Sequence, residues 1–106
     1  TPAKLDEGTR QHAAKLYARP GAMPAAFAHF HSIRQDAIDN APVLQQKLTM
    51  PVLAVGGEKS FGNNEAIVMR NAADNVTEVV IPAAGHWLME EAPTPTIKAV
   101  RDFIAM

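Results

Sequence analysis

The residues best placed to do chemistry lie together in Pro82-Ala83-Ala84-Gly85-His86-Trp87-Leu88-Met89-Glu90-Glu91-Ala92-Pro93. Histidine is the side chain whose ordinary titration falls nearest neutral pH, so His86 is the first candidate for general acid or base work. Gly85 lets the backbone turn sharply before it, and the single Trp of the chain, Trp87, would give it an aromatic wall. A loop His hydrogen-bonded for purely structural reasons is the plain alternative, and these residues alone leave both open. Glu90 and Glu91 read as solvated loop carboxylates, or as first-turn charges favoured by a helix dipole.

Other constellations are weaker. His29 and His31 form a His-x-His pair, but positions i and i+2 of a helix point to different faces and no neighbouring acid or Cys completes a metal site. Gly56-Gly57-Glu58-Lys59-Ser60-Phe61-Gly62 is the one Gly-rich segment. It lacks the glycine spacing of a phosphate-binding loop and contains no G-x-S-x-G elbow. With no Cys, thiol nucleophiles, thiolate metal sites and disulfides are excluded together.

The elements that must position His86 follow from apolar spacing. The stretch 4–18 reads as an exposed amphipathic helix, weakened at Gly8 and ended by Arg19-Pro20-Gly21. Met23, Phe27, Phe30 and Arg34 share one face of a second helix, in which Pro24 is tolerated because it falls in the first turn. A third, shorter helix is expected over 36–48, with Pro42 marking its start or a kink. The pattern then changes. Pro51-Val52-Leu53-Ala54-Val55 is a short apolar run closed by Gly56-Gly57, as a strand buried on both faces reads. Helical spacing returns over 63–73, a β-branched strand spans 76–81, and a closing helix over 95–104 puts Ile97, Val100, Phe103 and Ile104 on one face. Two strands joined by a helix are expected to run parallel. His86 then lies just past the carboxyl end of a parallel strand, where open α/β sheets bind ligands.

Taken together, Gly85-His86-Trp87-Leu88, Glu90-Glu91-Ala92-Pro93 and the earlier Met50-Pro51-Val52-Leu53-Ala54-Val55-Gly56-Gly57-Glu58 resemble the C-terminal end of an α/β-hydrolase. More narrowly, the likeness is to the epoxide hydrolase and haloacid dehalogenase branch. Tyr17-Ala18-Arg19-Pro20-Gly21-Ala22-Met23 and Phe27-Ala28-His29-Phe30-His31 resemble the last helices of the lid in that branch. The resemblance implies an α/β fold in two parts: 1–48 as the end of the lid and its return helix, and 49–106 as the last two strands and helices of the core.

It also implies a chemistry. An Asp carboxylate attacks a carbon of the small organic substrate to give a covalent ester, the substrate class being an epoxide, haloacid or ester, and His86 as general base activates the water that hydrolyses it. A third group must orient the imidazole. Many relatives carry that acid in a G-x-x-D setting after the penultimate strand; counted from Gly57, the position holds Ser60. The acid is therefore expected in an absent N-terminal half of the core, with Glu58 as the candidate within this sequence. Trp87, Phe30 and His29 are the expected substrate-pocket residues. Phe30 stands where epoxide hydrolases usually place a proton-donating Tyr, a role Phe cannot fill. The nucleophile is likewise expected outside the sequence, so that these residues alone would be inactive. The alternative is a non-catalytic binding module that completes its two-stranded sheet by homo-oligomerisation.

Composition bounds the partners. The chain has 106 residues with 10 Lys plus Arg against 11 Asp plus Glu. That balance offers no basic footprint for nucleic acid or anionic lipid. The longest apolar run is far too short to span a bilayer, and the first residues do not read as a signal peptide, so a cytoplasmic location is expected. A small-molecule substrate is expected, with no cofactor and no metal.

Overall fold

In a computed structural model that describes residues 5–106, the chain forms α1 (Glu7–Tyr17), α2 (Ala22–Asn40), a 3₁₀ turn (Val43–Gln45), β1 (Val52–Gly57), α3 (Asn64–Ala72), β2 (Val76–Ile81), α4 (Leu88–Glu91) and α5 (Pro93–Ile104). It divides into two compact units with the boundary after Gln45.

The first unit is helical. The helix expected over 4–18 is α1, and residue 4 lies outside the described residues. Its start is fixed by Asp6, whose carboxylate accepts the Thr9 backbone N–H at 3.0 Å and the Thr9 hydroxyl. This satisfies a donor that the first turn would otherwise leave open. Gly21, at φ 82, turns the chain between α1 and α2 in a left-handed conformation that costs glycine little. α2 then runs for 19 residues and absorbs Asp36 to Asn40, which were expected to begin a third helix. The correction has a simple cause: nothing between Arg34 and Asn40 breaks a helix, whereas Pro42 cannot continue one. No described residue of α1 or α2 is buried.

The second unit is the α/β unit. Leu48, expected at the end of a helix, instead forms a parallel bridge with Ala73 and leads into β1. β1 and β2 pair in parallel, with Val52 opposite Val76 and Gly57 opposite Ile81. Because side chains alternate along a strand, the two faces of the sheet take different helices. α3 covers one face, where Arg70 reaches Glu78 of β2 at 2.9 Å. α5 covers the other, where Leu53, Thr77 and Val79 line a cavity of about 320 Å³ with Ala99 and Phe103.

The core is made of small residues. Ala54, Ala66, Ala73, Ile81 and Ala84 are its buried apolar side chains, and Thr96 is buried with its hydroxyl donating to the carbonyl oxygens of Ala92 at 2.7 Å and Leu88 at 3.3 Å. On α5 the inward face is Thr96, Ala99 and Phe103, while Ile97, Val100 and Ile104 are exposed. The expected apolar face of α5 is thus split, with Phe103 turned to the sheet and the other three outward. Among the described residues no helix is long and apolar enough to cross a membrane.

Candidate functional site

Two parallel strands ending side by side deliver both following loops to the same end of the sheet. Gly57 and Ile81 are register partners, so the loops 58–63 and 82–87 leave from adjacent points. They are laced together by backbone hydrogen bonds: the Glu58 N–H donates to the Ile81 carbonyl at 3.0 Å and the Lys59 N–H to the Ala84 carbonyl at 2.8 Å. The Glu58 carboxylate adds a third tie, accepting the Ala83 N–H through Oε2 at 2.7 Å.

The paired glycines at the end of β1 make this close packing sterically possible. A Cβ on Gly57 would fall on the carbonyl oxygens of Gly85 and Ala84, the latter at 2.7 Å. A Cβ on Gly56 would instead meet the backbone of Gly62, lying 3.0 Å from its Cα. Each glycine therefore admits one loop, Gly56 the loop that carries Ser60 and Gly57 the loop that carries His86. Ala83 takes a left-handed conformation at φ 55, which costs a residue with a Cβ roughly 1–2 kcal/mol. The Glu58 hydrogen bond helps to hold it there.

His86 follows on this anchored loop. With Ser60, Phe61, Glu65, Gly85 and Leu88 it lines a cavity of about 210 Å³ over the ends of the strands. Its ring meets that of Trp87 edge to face, with centroids 5.2 Å apart and planes at 84°. Both rings are largely exposed.

Glu91 is the residue that the sequence underrated. Its carboxylate is turned back onto the loop, accepting the Gly85 N–H at 3.0 Å and the Trp87 N–H at 3.3 Å, one on either side of His86. The Gly85 hydrogen bond, joined by that from Trp87, holds the Glu91 carboxyl below the usual carboxylate range against the opposing effect of desolvation. Of the two expected readings of Glu91, the first-turn charge agrees with its place in α4, and the solvated loop carboxylate is corrected. The signal that could have exposed it is its position on the first turn after a sharp Gly-containing bend, with α4 bringing it back over the turn.

The other expected site residues are placed as follows. Glu58 faces the His86 loop, with Oε2 engaged by Ala83. His29 and Phe30 belong to α2 in the helical unit, where their rings meet edge to face at 6.1 Å and Phe30 is exposed. Among the described residues no group of three His, Cys, Asp or Glu side chains is arranged to hold a metal ion.

A solved epoxide hydrolase shares this fold over part of its length. The chain superposes on the epoxide hydrolase CorEH with a TM-score of 0.89 and 25% identity, over 99% of this chain and 37% of that one. It superposes equally well on Cfl2 from Burkholderia cenocepacia, with a TM-score of 0.89 and 26% identity over 97% of this chain and 35% of that one. The sequence thus spans little more than a third of either structure. No protein-family model and no curated protein matches it. The likeness shows an α/β fold of the kind found in a hydrolase chain.

Proposed function

We propose that this chain forms the general-base end of a hydrolase that works through a covalent ester on a small organic substrate, an epoxide, haloacid or ester. The observation that carries the reading is the placement of His86: past the carboxyl end of a parallel strand, lining a cavity, on a loop hydrogen-bonded by Glu58, Lys59 and Glu91. The likeness to CorEH supports it.

In the proposed reaction a carboxylate nucleophile from outside these residues attacks a substrate carbon and displaces halide, the epoxide oxygen, which takes a proton from water, or the carboxylate of an ester, leaving an alkyl ester. His86 then takes a proton from water as the water oxygen adds to the ester carbonyl. Collapse of the adduct expels the alcohol, protonated by the His86 imidazolium, and restores the carboxylate and the neutral base. Splitting one displacement into two steps is the gain of covalent catalysis, and a positioned base contributes about 10²–10⁴-fold to the second. Trp87 walls the imidazole, the acid that orients it comes from beyond this sequence, and Glu58 serves to hold the loop. His29 and Phe30 are assigned to the lid.

The test is turnover of epoxide, haloacid and aryl ester substrates by the polypeptide carrying this sequence and its nucleophile. His86→Gln should lower the rate at least 100-fold; an undiminished rate would refute the assignment.

One observation favours a second reading, a module that completes its sheet against another copy. Among the described residues each strand pairs on one edge only, and large apolar side chains such as Ile97, Val100, Ile67 and Val68 stay exposed. Light scattering separates the two: a concentration-dependent dimer without turnover supports the module, and a monomer counts against it.

A further inference from the structure

Glu91 does more than end a short helix. Its two carboxylate oxygens take N–H groups from the residues immediately before and after His86, Oε2 from Gly85 and Oε1 from Trp87. Fixing both neighbours fixes the peptide planes from which the His86 side chain departs, and the Trp87 N–H that Glu91 holds belongs to the residue whose ring rests against the imidazole at 5.2 Å. Gly85 is needed for this approach, since a Cβ there would lie 2.6 Å from Glu91 Oε1 and 3.0 Å from Oε2. The far side of the same loop is held by Glu58 through Ala83 and by Lys59 through Ala84.

We infer that Glu91 is a positioning residue for His86, a carboxylate clamp that sets the orientation of the imidazole and its edge-to-face contact with Trp87. This rests on the reading of His86 as the base and names how that base is held. The geometry differs from the familiar acid partner of a catalytic His: Glu91 acts on the backbone either side of the ring, so the ring nitrogens stay available to water and to a separate acid. A clamp on two flanking amides restricts the backbone dihedrals of the His86 segment together, which a single hydrogen bond to the ring would not do.

The test reads the ring directly and needs no substrate. Because the two rings meet edge to face at 5.2 Å, the ring current of the Trp87 indole displaces the His86 carbon-bound proton resonances. These are followed in histidine-labelled protein and assigned by their loss in His86→Gln. Glu91→Ala should move them by more than half of the way to the positions of an unstructured His, and move the Gly85 and Trp87 amide signals with them. Glu91→Gln, which keeps one acceptor oxygen, should retain at least half of the wild-type displacement. Gly85→Ala provides a second route: it leaves residue 91 intact but crowds its carboxylate, and should reproduce the Glu91→Ala pattern. Strand amides of β1 and β2 serve as the check that each variant is folded.

Wild-type His86 resonances in folded Glu91→Ala or Gly85→Ala would overturn the inference, as would equal loss in the Gln and Ala variants. The outcome is independent of turnover. If the ring shifts as expected while His86→Gln leaves hydrolysis unchanged, the clamp stands and the catalytic reading fails.

Discussion

Replacing Gly57 by Ala tests the idea that the end of β1 is shaped to admit the His86 loop. The new methyl would fall on the Gly85 carbonyl oxygen and stand 2.7 Å from the Ala84 carbonyl oxygen, against 3.4 Å or more for ordinary contact. The Ala84 contact alone requires a retreat of about 0.7 Å and the closer Gly85 oxygen requires more, since both offending groups are backbone and no side chain can swing aside. Overpacking of this kind costs roughly 1–3 kcal/mol. The upper half is expected here, because the retreat also strains the Lys59–Ala84 and Glu58–Ala83 hydrogen bonds. Against a total stability of about 5–15 kcal/mol, that is a large fraction. Urea unfolding should show a lower midpoint with an unchanged slope. Emission from Trp87, the only Trp, should shift as its loop moves. Gly56→Ala is the matched control, because its methyl meets Gly62 and presses on the other loop. It should destabilise comparably while disturbing Trp87 much less. A Gly57→Ala protein with wild-type stability, within about 0.5 kcal/mol, and wild-type Trp87 emission would refute the steric argument.

Three further outcomes follow from the same loops. Ala83→Gly should stabilise the protein by about 0.5–1 kcal/mol by relieving the left-handed strain at φ 55, seen as a higher thermal midpoint; a drop would show that the strain is not there. Glu58→Ala should cost about 1 kcal/mol by releasing the Ala83 N–H, and the loss should shrink when Ala83→Gly is already present, a coupling that a double-mutant cycle reads. Asp6, held down chiefly by the Thr9 hydroxyl and N–H, and Glu91, held down chiefly by the Gly85 N–H, both have carboxyls lowered in the folded state. Their contribution is complete above the unfolded carboxylate pKa and fades as pH falls through the lower folded values, so unfolding titrations should show stability declining in that acid window. Asp6→Asn and Glu91→Gln should each flatten the decline.

The sequence disclosed the elements wherever local chemistry decided them. The β-branched run ending at Pro82 and the apolar run ending at Gly56-Gly57 became paired parallel strands because buried strands tolerate few other compositions. The break at Arg19-Pro20-Gly21 held for the same local reason. Errors arose where context decided. α2 ran on to Asn40 because Asp36 is no obstacle to a helix, and Leu48 left the helical pattern for a bridge to Ala73 that spacing cannot forecast. The periodicity of α5 located a helix correctly but could not say which of its apolar positions meets the sheet. The position of His86, just past a strand, was legible. Glu91 was not, because its role exists only once α4 has folded back over the loop, nor was the left-handed Ala83, since nothing in an Ala announces a positive φ.

The role proposed for His86 is that of the base that discharges a covalent ester. The most direct measurement is the intact mass of the polypeptide carrying this sequence and its nucleophile, as His86→Gln, after mixing with an epoxide or haloacid substrate. His86→Gln should show a stoichiometric mass increase equal to the substrate-derived ester that persists for many wild-type turnover times, while the wild-type protein shows none at steady state. Continued turnover by His86→Gln at the wild-type rate with no trapped adduct would contradict it.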